Sequence, residues 1–347
     1  MTHPHDHDDD EHDHDVHEHG DVSGHAEHGH THGVVDPSIF TTDRGVAALK
    51  GSLVGLALTA VMQVVVVYFT GSVALLADTI HNFGDALTAL PLWVAFRLSD
   101  RQPNRRFTYG YGRVEDLAGL FIVLMILISA IVAGYESFKR LIEPQPVKFL
   151  WAVMAASVIG FIGNEVVAFY RIKVGKEIGS AALVADGQHA RADGLTSLAV
   201  LAGAVGVALG FPLADPLVGL LITFAILKIL WDSSKSVFAR MLDGVDPEVV
   251  DELERAARGT PGVREVTEAR VRWLGHRLQA ELNIAVDAAL SVEQGHAVAK
   301  AVQHELLHHL TYLSGAIIHV DPVSESGGGH HRVAEHAHDD LPGHGHS

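Results

Sequence analysis

No cysteine occurs among the 347 residues of the chain. Disulfide bonds and thiolate metal sites are therefore excluded, and any metal ion must be bound through nitrogen and oxygen ligands. This leaves zinc, cobalt, nickel, cadmium, manganese and iron open. Lysine and arginine are missing from residues 1–36, whose 11 acidic side chains account for most of the formal net charge of −17. Because the remaining residues carry about −6 and no basic excess, nucleic acid is not an expected partner.

Two segments hold few of the apolar residues that build a core. Residues 1–45 carry 11 histidines among aspartates and glutamates, and residues 324–347 carry six more histidines. Such compositions cannot bury enough apolar surface to fold, so both are predicted to be disordered tails that capture metal ions or act as solvated polyelectrolytes. The first apolar run begins only after about fifty residues and the start is acidic, so we expect no cleavable signal peptide.

Long apolar runs are frequent between the tails. Six stretches approach the ~20 residues that a helix needs to cross a bilayer. They lie at 47–69, 72–97, 114–136, 149–171, 180–210 and 214–238. Residues 46–242 are therefore predicted to form an all-α membrane domain of six transmembrane helices.

Basic residues are unevenly distributed along this domain. Five arginines crowd the loop after the second stretch, and Arg171 and two lysines follow the fourth. Three basic residues after the third stretch break the pattern, but an even number of spans fits best. The positive-inside rule then predicts a multi-pass protein of the cytoplasmic membrane with both termini in the cytoplasm.

Residues 243–323 have a different pattern, which predicts a separate cytoplasmic domain. Helix caps and alternating apolar residues indicate five elements. They are a helix at 247–258, strands at 263–273 and 277–286, a helix from Ser291 to Leu310, and a strand at 316–320. The order α-β-β-α-β predicts a small ferredoxin-like α+β domain with both helices on one face of the sheet.

Two pairs of histidine and aspartate interrupt the apolar spans, His81 with Asp85 in the second and His189 with Asp193 in the fifth. Residues four positions apart share one face of a helix, so each pair directs two metal-ligand side chains the same way. Two such helices would surround one point with a complete tetrahedral shell for a divalent transition metal. Because ionisable groups at membrane depth mark a substrate path, the pairs predict a transport site. The competing interpretation is a buried polar network that holds the helices together.

Four motifs stand out in the chain, and two of them include or lead into these pairs. They are Ser72–Asp78 leading into His81 and Asp85, Phe107–Glu115, Ala185–Asp193, and His319–Pro322. In combination they resemble the cation diffusion facilitator family of zinc and related metal efflux carriers, over about residues 45–323.

The resemblance implies that His81, Asp85, His189 and Asp193 bind the transported ion. It further implies that the chain forms homodimers and exchanges metal for protons while it alternates between inward-facing and outward-facing states. A basic residue of the signature loop commonly pairs with an acid after the sixth helix to lock the dimer. In this chain the two residues would be Arg113 and Asp243.

The chain departs from the family at two secondary sites. Arg106 and Tyr111 replace histidines of a loop site, so no metal is predicted there. For a cytoplasmic-domain cluster, the chain keeps His296, His319 and Asp321, and has Thr267 and Asn283 in place of two other ligands. This leaves a cluster that is reduced to one site or rebuilt with His276.

Three further polar residues, Asp78, Asp186 and Asn164, fall within the apolar spans. We interpret them as groups that orient the metal ligands or line the access path. The alternative is that they only satisfy contacts between helices.

These observations favour a carrier that exports a divalent metal, most of all zinc, by exchange against protons. Mixed nitrogen and oxygen ligation in a tetrahedron suits zinc, but cobalt, nickel, cadmium, manganese or iron as the main substrate remains an alternative. A membrane metalloenzyme is disfavoured because a closed shell of two histidines and two aspartates leaves no open coordination position for water or oxygen, and no resident cofactor is expected. The alternative to a transporter is a membrane protein that uses its His-rich tails to buffer or sense metal ions.

Overall fold

The computed structural model describes residues 37–70, 89–143, 150–211 and 213–327, which form a helix bundle followed by a C-terminal domain. The bundle helices are α1 (Pro37–Thr70), α2 (Ala89–Ser99), α3 (Arg113–Ile142), α4 (Leu150–Ile178), α5 (Ala181–Ala208) and α6 (Ala214–Met241). Within the described ranges, α1 and α3 to α6 contain five segments long and apolar enough to cross a membrane. Helix α2 is a shorter apolar helix at the end of the predicted second span, and the beginning of that span lies outside the described residues.

Several helices extend beyond the predicted spans, and two of these differences change the interpretation of buried residues. Helix α1 begins at Pro37, so residues 37–45 belong to a helix and not to the predicted tail. Proline suits the first turn of a helix, and Thr42 in this segment is buried against the C-terminal domain, a long-range contact that composition does not reveal. Helix α4 continues past the predicted end at residue 171 to Ile178. Arg171 is therefore buried within a helix and does not lie in a cytoplasmic loop.

Small residues bring α4 and α5 close together. The two helices are joined by Gly179 and Ser180 alone, and the Ser180 hydroxyl caps α5 by accepting a hydrogen bond from the Leu183 N–H at 3.1 Å. A Cβ atom on Gly187 would lie 2.9 Å from the backbone nitrogen of Ile172, so a larger residue would force the helices apart. Close approach of this kind is a common basis of helix association in membranes, and it fixes α5 within the bundle.

The C-terminal domain is a three-stranded sheet covered by two helices. Its elements are α7 (Pro247–Arg258), β1 (Glu265–Leu274), β2 (Arg277–Val286), α8 (Val292–His309) and β3 (Leu313–Pro322), followed by a 3₁₀ turn at Val323–Glu325. Strand β2 lies in the centre, antiparallel to β1 and parallel to β3. The predicted α-β-β-α-β order is confirmed.

Helix caps and a buried apolar core explain why residues 246–322 fold into this domain. Asp246 caps α7 by accepting a hydrogen bond from the Glu248 N–H, and Ser291 and Gln294 form a capping box at the start of α8. The apolar faces of the sheet and of the two helices, which also contact each other, meet in one core. The most deeply buried members are Leu253, Ala257, Leu278, Leu282, Ile284, Val302 and Leu306.

Candidate metal transport site

Helix α5 carries the described half of the predicted transport site. His189 and Asp193 lie one turn apart, with His189 Nδ1 3.8 Å from Asp193 Oδ2, and they are 1% and 9% exposed. Ligand bonds of ~2.1 Å at a tetrahedral angle place donor atoms ~3.4 Å apart, so a small adjustment would let both side chains bind one ion. The predicted partners His81 and Asp85, and Asp78 near them, lie outside the described residues.

A buried ion pair lies one turn from His189. Asp186 Oδ2 is 2.9 Å from Arg171 Nη1 on α4, and Arg171 Nε donates to Ser52 Oγ on α1 at 2.9 Å. Both charged residues are at most 1% exposed. The sequence leaves Asp186 as a group that orients ligands or lines an access path. In the structure its carboxylate is neutralised by Arg171, and the pair joins α1, α4 and α5.

Asn164 of α4 is buried beside the part of α5 that carries His189 and Asp193. A Cβ atom on Gly194 would lie 3.4 Å from the Asn164 Cβ, which places this residue at the level of Asp193. The adjacent Glu165 accepts a hydrogen bond from Arg191 Nη2 at 2.7 Å. The charges of Glu165 and Arg191 are therefore compensated by each other, and Asn164 is the α4 residue that adjoins the candidate site.

A cavity of about 370 Å³ adjoins Asp193 between α3, α5 and α6. Its polar lining continues along α5 through Thr196 and Ser197, and includes Glu136 near the end of α3. At this end Arg140 Nη1 is 3.0 Å from Asp215 Oδ2, which joins the end of α3 to the start of α6. These are the ends of α3 and α6 remote from the C-terminal domain, so the cavity connects Asp193 with the opposite side of the bundle.

The predicted cytoplasmic-domain ligands are only partly brought together. His319 Nε2 lies 2.9 Å from Asp321 Oδ1 on β3, whereas His296 is exposed on α8. Over residues 37–70, 89–143, 150–211 and 213–327, no group of three or more His, Asp or Glu side chains could hold a metal ion. Thr267 and Asn283 bond to each other, through the Thr267 hydroxyl and the Asn283 carbonyl oxygen at 3.3 Å.

The prediction that His276 rebuilds this cluster needs correction. His276 is 2% exposed, and its ring nitrogens lie 2.6 Å from Glu115 Oε2 and 3.1 Å from Thr42 Oγ1. Both partners belong to the helix bundle. The β1–β2 turn that carries His276 is inserted among helix ends, so the imidazole is engaged there and not with His296, His319 or Asp321.

The predicted pair of Arg113 and Asp243 forms within one chain. The Arg113 guanidinium contacts the Asp243 carboxylate and also donates to the Arg240 carbonyl oxygen at 2.9 Å. Asp243 has a φ of 59°, a left-handed conformation that aspartate tolerates better than most residues. The contact ties the start of α3 to the segment that leaves α6 for the C-terminal domain.

The roles of several polar residues of the bundle were not predicted from the sequence. Arg171 was assigned to a loop, and Glu136, Arg140 and Asp215 were given no role because each stands near the end of a span, where charge is common. Only Arg171 carried a usable signal, since no proline interrupts the chain between position 171 and Gly179. Its pairing with Asp186 requires the packing of two helices and has no local signature.

Comparison with known proteins supports relationships over both parts of the chain. A family model described as the cation efflux transmembrane domain matches residues 49–242, and one described as the cation efflux protein cytoplasmic domain matches residues 245–323. A probable cation efflux system protein of Mycobacterium tuberculosis is 57% identical over 289 residues, which cover 83% of this chain and 87% of the relative.

More distant relatives carry different printed names. The magnetosome protein MamB of Paramagnetospirillum magneticum is 27% identical over 256 residues, which cover 73% of this chain and 86% of the relative. The manganese efflux system protein MneP of Bacillus subtilis is 24% identical over 297 residues, which cover 82% of this chain and 100% of the relative.

Proposed function

Because the chain belongs to the cation diffusion facilitator family of cation efflux transporters, we propose that it exports zinc across the cytoplasmic membrane in exchange for protons. The main support is the buried pair of His189 and Asp193, which presents a nitrogen and an oxygen ligand beside a polar cavity. With His81 and Asp85 from the second span, the pair would complete a four-ligand site. Both termini would lie in the cytoplasm.

Zinc is proposed over manganese because of the ligand types. Two imidazoles and two carboxylates suit a tetrahedral zinc ion, whereas manganese prefers six oxygen ligands. A manganese efflux protein stands among the relatives at 24% identity, so manganese is the metal against which zinc has to be tested. The His296, His319 and Asp321 group would bind metal only as a secondary, incomplete site.

Proton exchange follows from the chemistry of the ligands. An imidazole binds metal only when its coordinating nitrogen is unprotonated, and a carboxylate binds best when ionised. Protons arriving from outside would therefore displace the ion from His189 and Asp193, and loss of those protons to the cytoplasm would restore the site. Access to each side in turn, by alternation of two bundle conformations, is required for such exchange.

We assign the protein to homodimers in which Arg113 and Asp243 hold the bundle against the C-terminal domain near the two-fold axis. The domain matched by residues 245–323 gives this assignment its support, together with the Arg113 contact. If the purified protein transports metal as a monomer, the proposed homodimer is not required for function.

The transport assignment is tested by metal-driven proton flux in proteoliposomes with a pH-sensitive dye inside. Zinc should drive flux at least ~10-fold faster than manganese at equal concentration, because manganese forms the weaker complexes with nitrogen ligands. Liposomes without protein provide the baseline. Tight zinc binding without flux for any metal would support the buffer or sensor function, and faster flux with manganese would overturn the zinc assignment.

The cavity beside Asp193 is proposed as the outward release path, closed by the Arg140 and Asp215 pair. Since the chain has no cysteine, a Thr196→Cys variant offers one thiol, which should react with a membrane-impermeant maleimide added outside. Adding Arg140→Ala should speed labelling ~2- to 5-fold, as expected for loss of a partly exposed ion pair worth ~0.5–1 kcal/mol. Ala156→Cys, buried in α4 away from the cavity lining, is the control and should stay unlabelled. Labelling of Thr196→Cys from the cytoplasmic side alone would contradict this path.

A further inference from the structure

The turn between β1 and β2 is buried in the helix bundle. This turn consists of Gly275 and His276, and its ends are the paired residues Leu274 and Arg277. Hairpin turns ordinarily lie at the surface, where water satisfies their polar groups. Here the His276 side chain is 2% exposed, although it carries two polar ring nitrogens. Such an arrangement is stable only if the bundle supplies partners for both nitrogens.

His276 contacts three helices of the bundle. Its Nδ1 lies 2.6 Å from Glu115 Oε2 on α3, and its Nε2 lies 3.1 Å from Thr42 Oγ1 on α1. The ring also packs on Phe96 of α2, with the ring centroids 5.6 Å apart. One side chain of the C-terminal domain therefore contacts the ends of α1, α2 and α3 at once.

The backbone of the turn is held just as closely. The Gly275 N–H donates to Asp116 Oδ2 at 3.4 Å, and the Gly275 carbonyl oxygen accepts from Arg240 Nη1 of α6 at 2.9 Å. Gly275 has a φ of +63°, and a Cβ atom there would lie 2.7 Å from Glu115 Oε2. Glycine is required at this position both for the backbone conformation and for the space.

Glu115 extends the contact to the helix that carries the transport ligands. Its second oxygen, Oε1, accepts a hydrogen bond from the Ser180 hydroxyl at 2.5 Å, and the same hydroxyl caps α5 through the Leu183 N–H. Glu115 is 1% exposed. A continuous series of hydrogen bonds therefore runs from the turn through Glu115 to the N-cap residue of the helix that holds His189 and Asp193.

We propose that His276 is a positioning residue that couples the C-terminal domain to the cytoplasmic end of α5. A movement of this domain shifts His276, and with it Glu115 and the Ser180 cap, so the orientation of α5 follows the position of the domain. The pair of Arg113 and Asp243 joins the start of α3 to the end of α6, whereas the hydrogen bonds of His276 and Glu115 lead to Ser180 at the start of α5. A role of His276 in transport rests on the proposed function, but its effect on the position of α5 can be tested without a transport assay.

The test compares His276→Leu with His276→Asn in the full-length protein. Leucine fills a similar volume without polar atoms, whereas the asparagine amide can place a donor near the Nδ1 position and restore the bond to Glu115. His304→Leu, an exposed histidine of the same domain, is the matched control. Each protein is assayed for zinc turnover and KM in proteoliposomes, for zinc binding, and for amide hydrogen exchange in detergent.

We expect His276→Leu to lower turnover about tenfold with KM and zinc binding unchanged within about twofold. Amide exchange should speed up in the first two turns of α5 while α7 and α8 keep their protection, and His276→Asn should restore both properties. The His304→Leu protein should match the wild type.

Two outcomes overturn the proposal. In the first, turnover and α5 exchange in His276→Leu equal those of the wild type. In the second, protection is lost throughout the C-terminal domain and asparagine restores nothing, which means that the imidazole only stabilises the fold. If the wild type shows no zinc flux, the transport function fails, but exchange in α5 still decides whether His276 positions that helix.

Discussion

Replacing His189 by alanine should lower zinc-driven proton flux by at least ~100-fold. Loss of a group that merely orients a ligand costs ~10- to 100-fold in metal affinity or activity, and loss of a ligand itself should cost more. The substitution removes the imidazole that is proposed as a nitrogen ligand and leaves Asp193 in place. Flux in proteoliposomes and zinc binding by calorimetry, on a protein that lacks both His-rich tails, would measure the effect.

The control for this experiment is His309→Ala. His309 has 57% of its side chain exposed on α8, where it lies 3.6 Å from Glu305, and its replacement should leave flux unchanged. Undiminished flux in the His189→Ala protein would move the transport site away from α5. Equal losses in both variants would show that the assay reports general damage and not the loss of a ligand.

Replacing Arg171 by methionine should destabilise the protein by ~3–5 kcal/mol, the usual consequence of leaving one charge of a buried pair without its partner. The Asp186 carboxylate would remain in the bundle at 0% exposure with its cationic partner removed. Replacing both residues, by Arg171→Met with Asp186→Leu, should recover most of this loss because no charge is then left buried. Unfolding of the purified protein in mixed micelles with increasing SDS measures both.

The exposed pair of Arg44 and Glu177 offers a matched control, since it also joins α1 to α4. Its side chains are 61% and 34% exposed, with Arg44 Nη2 2.5 Å from Glu177 Oε2. Arg44→Met should cost less than ~1 kcal/mol, as surface pairs usually do. If Arg171→Met unfolds like Arg44→Met, or if the double variant is no more stable than the single one, the buried pair does not carry the stability assigned to it.

The C-terminal domain could be predicted from the sequence because its signals are local. Asp246, Ser291 and Gln294 mark helix starts within four residues, and alternation along the strands shows which side chains meet the core. The spacing of His189 and Asp193 is also a local signal, since four residues make about one helical turn and so place both side chains on the same face. The predicted element order and the placement of both residues on one face of α5 agree with the structure.

What escaped prediction depends on contacts distant in sequence. Arg171 resembles a loop charge until α4 and α5 pack and place Asp186 beside it. His276 occupies a hairpin turn, where exposure is the ordinary expectation, and only the docking of this turn against Glu115 and Thr42 buries it. The start of α1 at Pro37 has the same cause, because the residues before position 45 acquire a partner only in the folded chain.

The compensation of Asp186 by Arg171 has an electrical consequence. With this pair neutral, and Glu165 balanced by Arg191, neither pair adds net charge to the helices around the proposed site. A divalent ion would balance the carboxylates of the proposed ligands Asp85 and Asp193 in one state, and two protons would balance them in the other. Exchange of one divalent ion for two protons would then move no net charge across the bilayer. Since membrane potential acts on moving charge at ~2.3 kcal/mol per unit per 100 mV, reorientation would be indifferent to voltage and driven by concentration gradients alone.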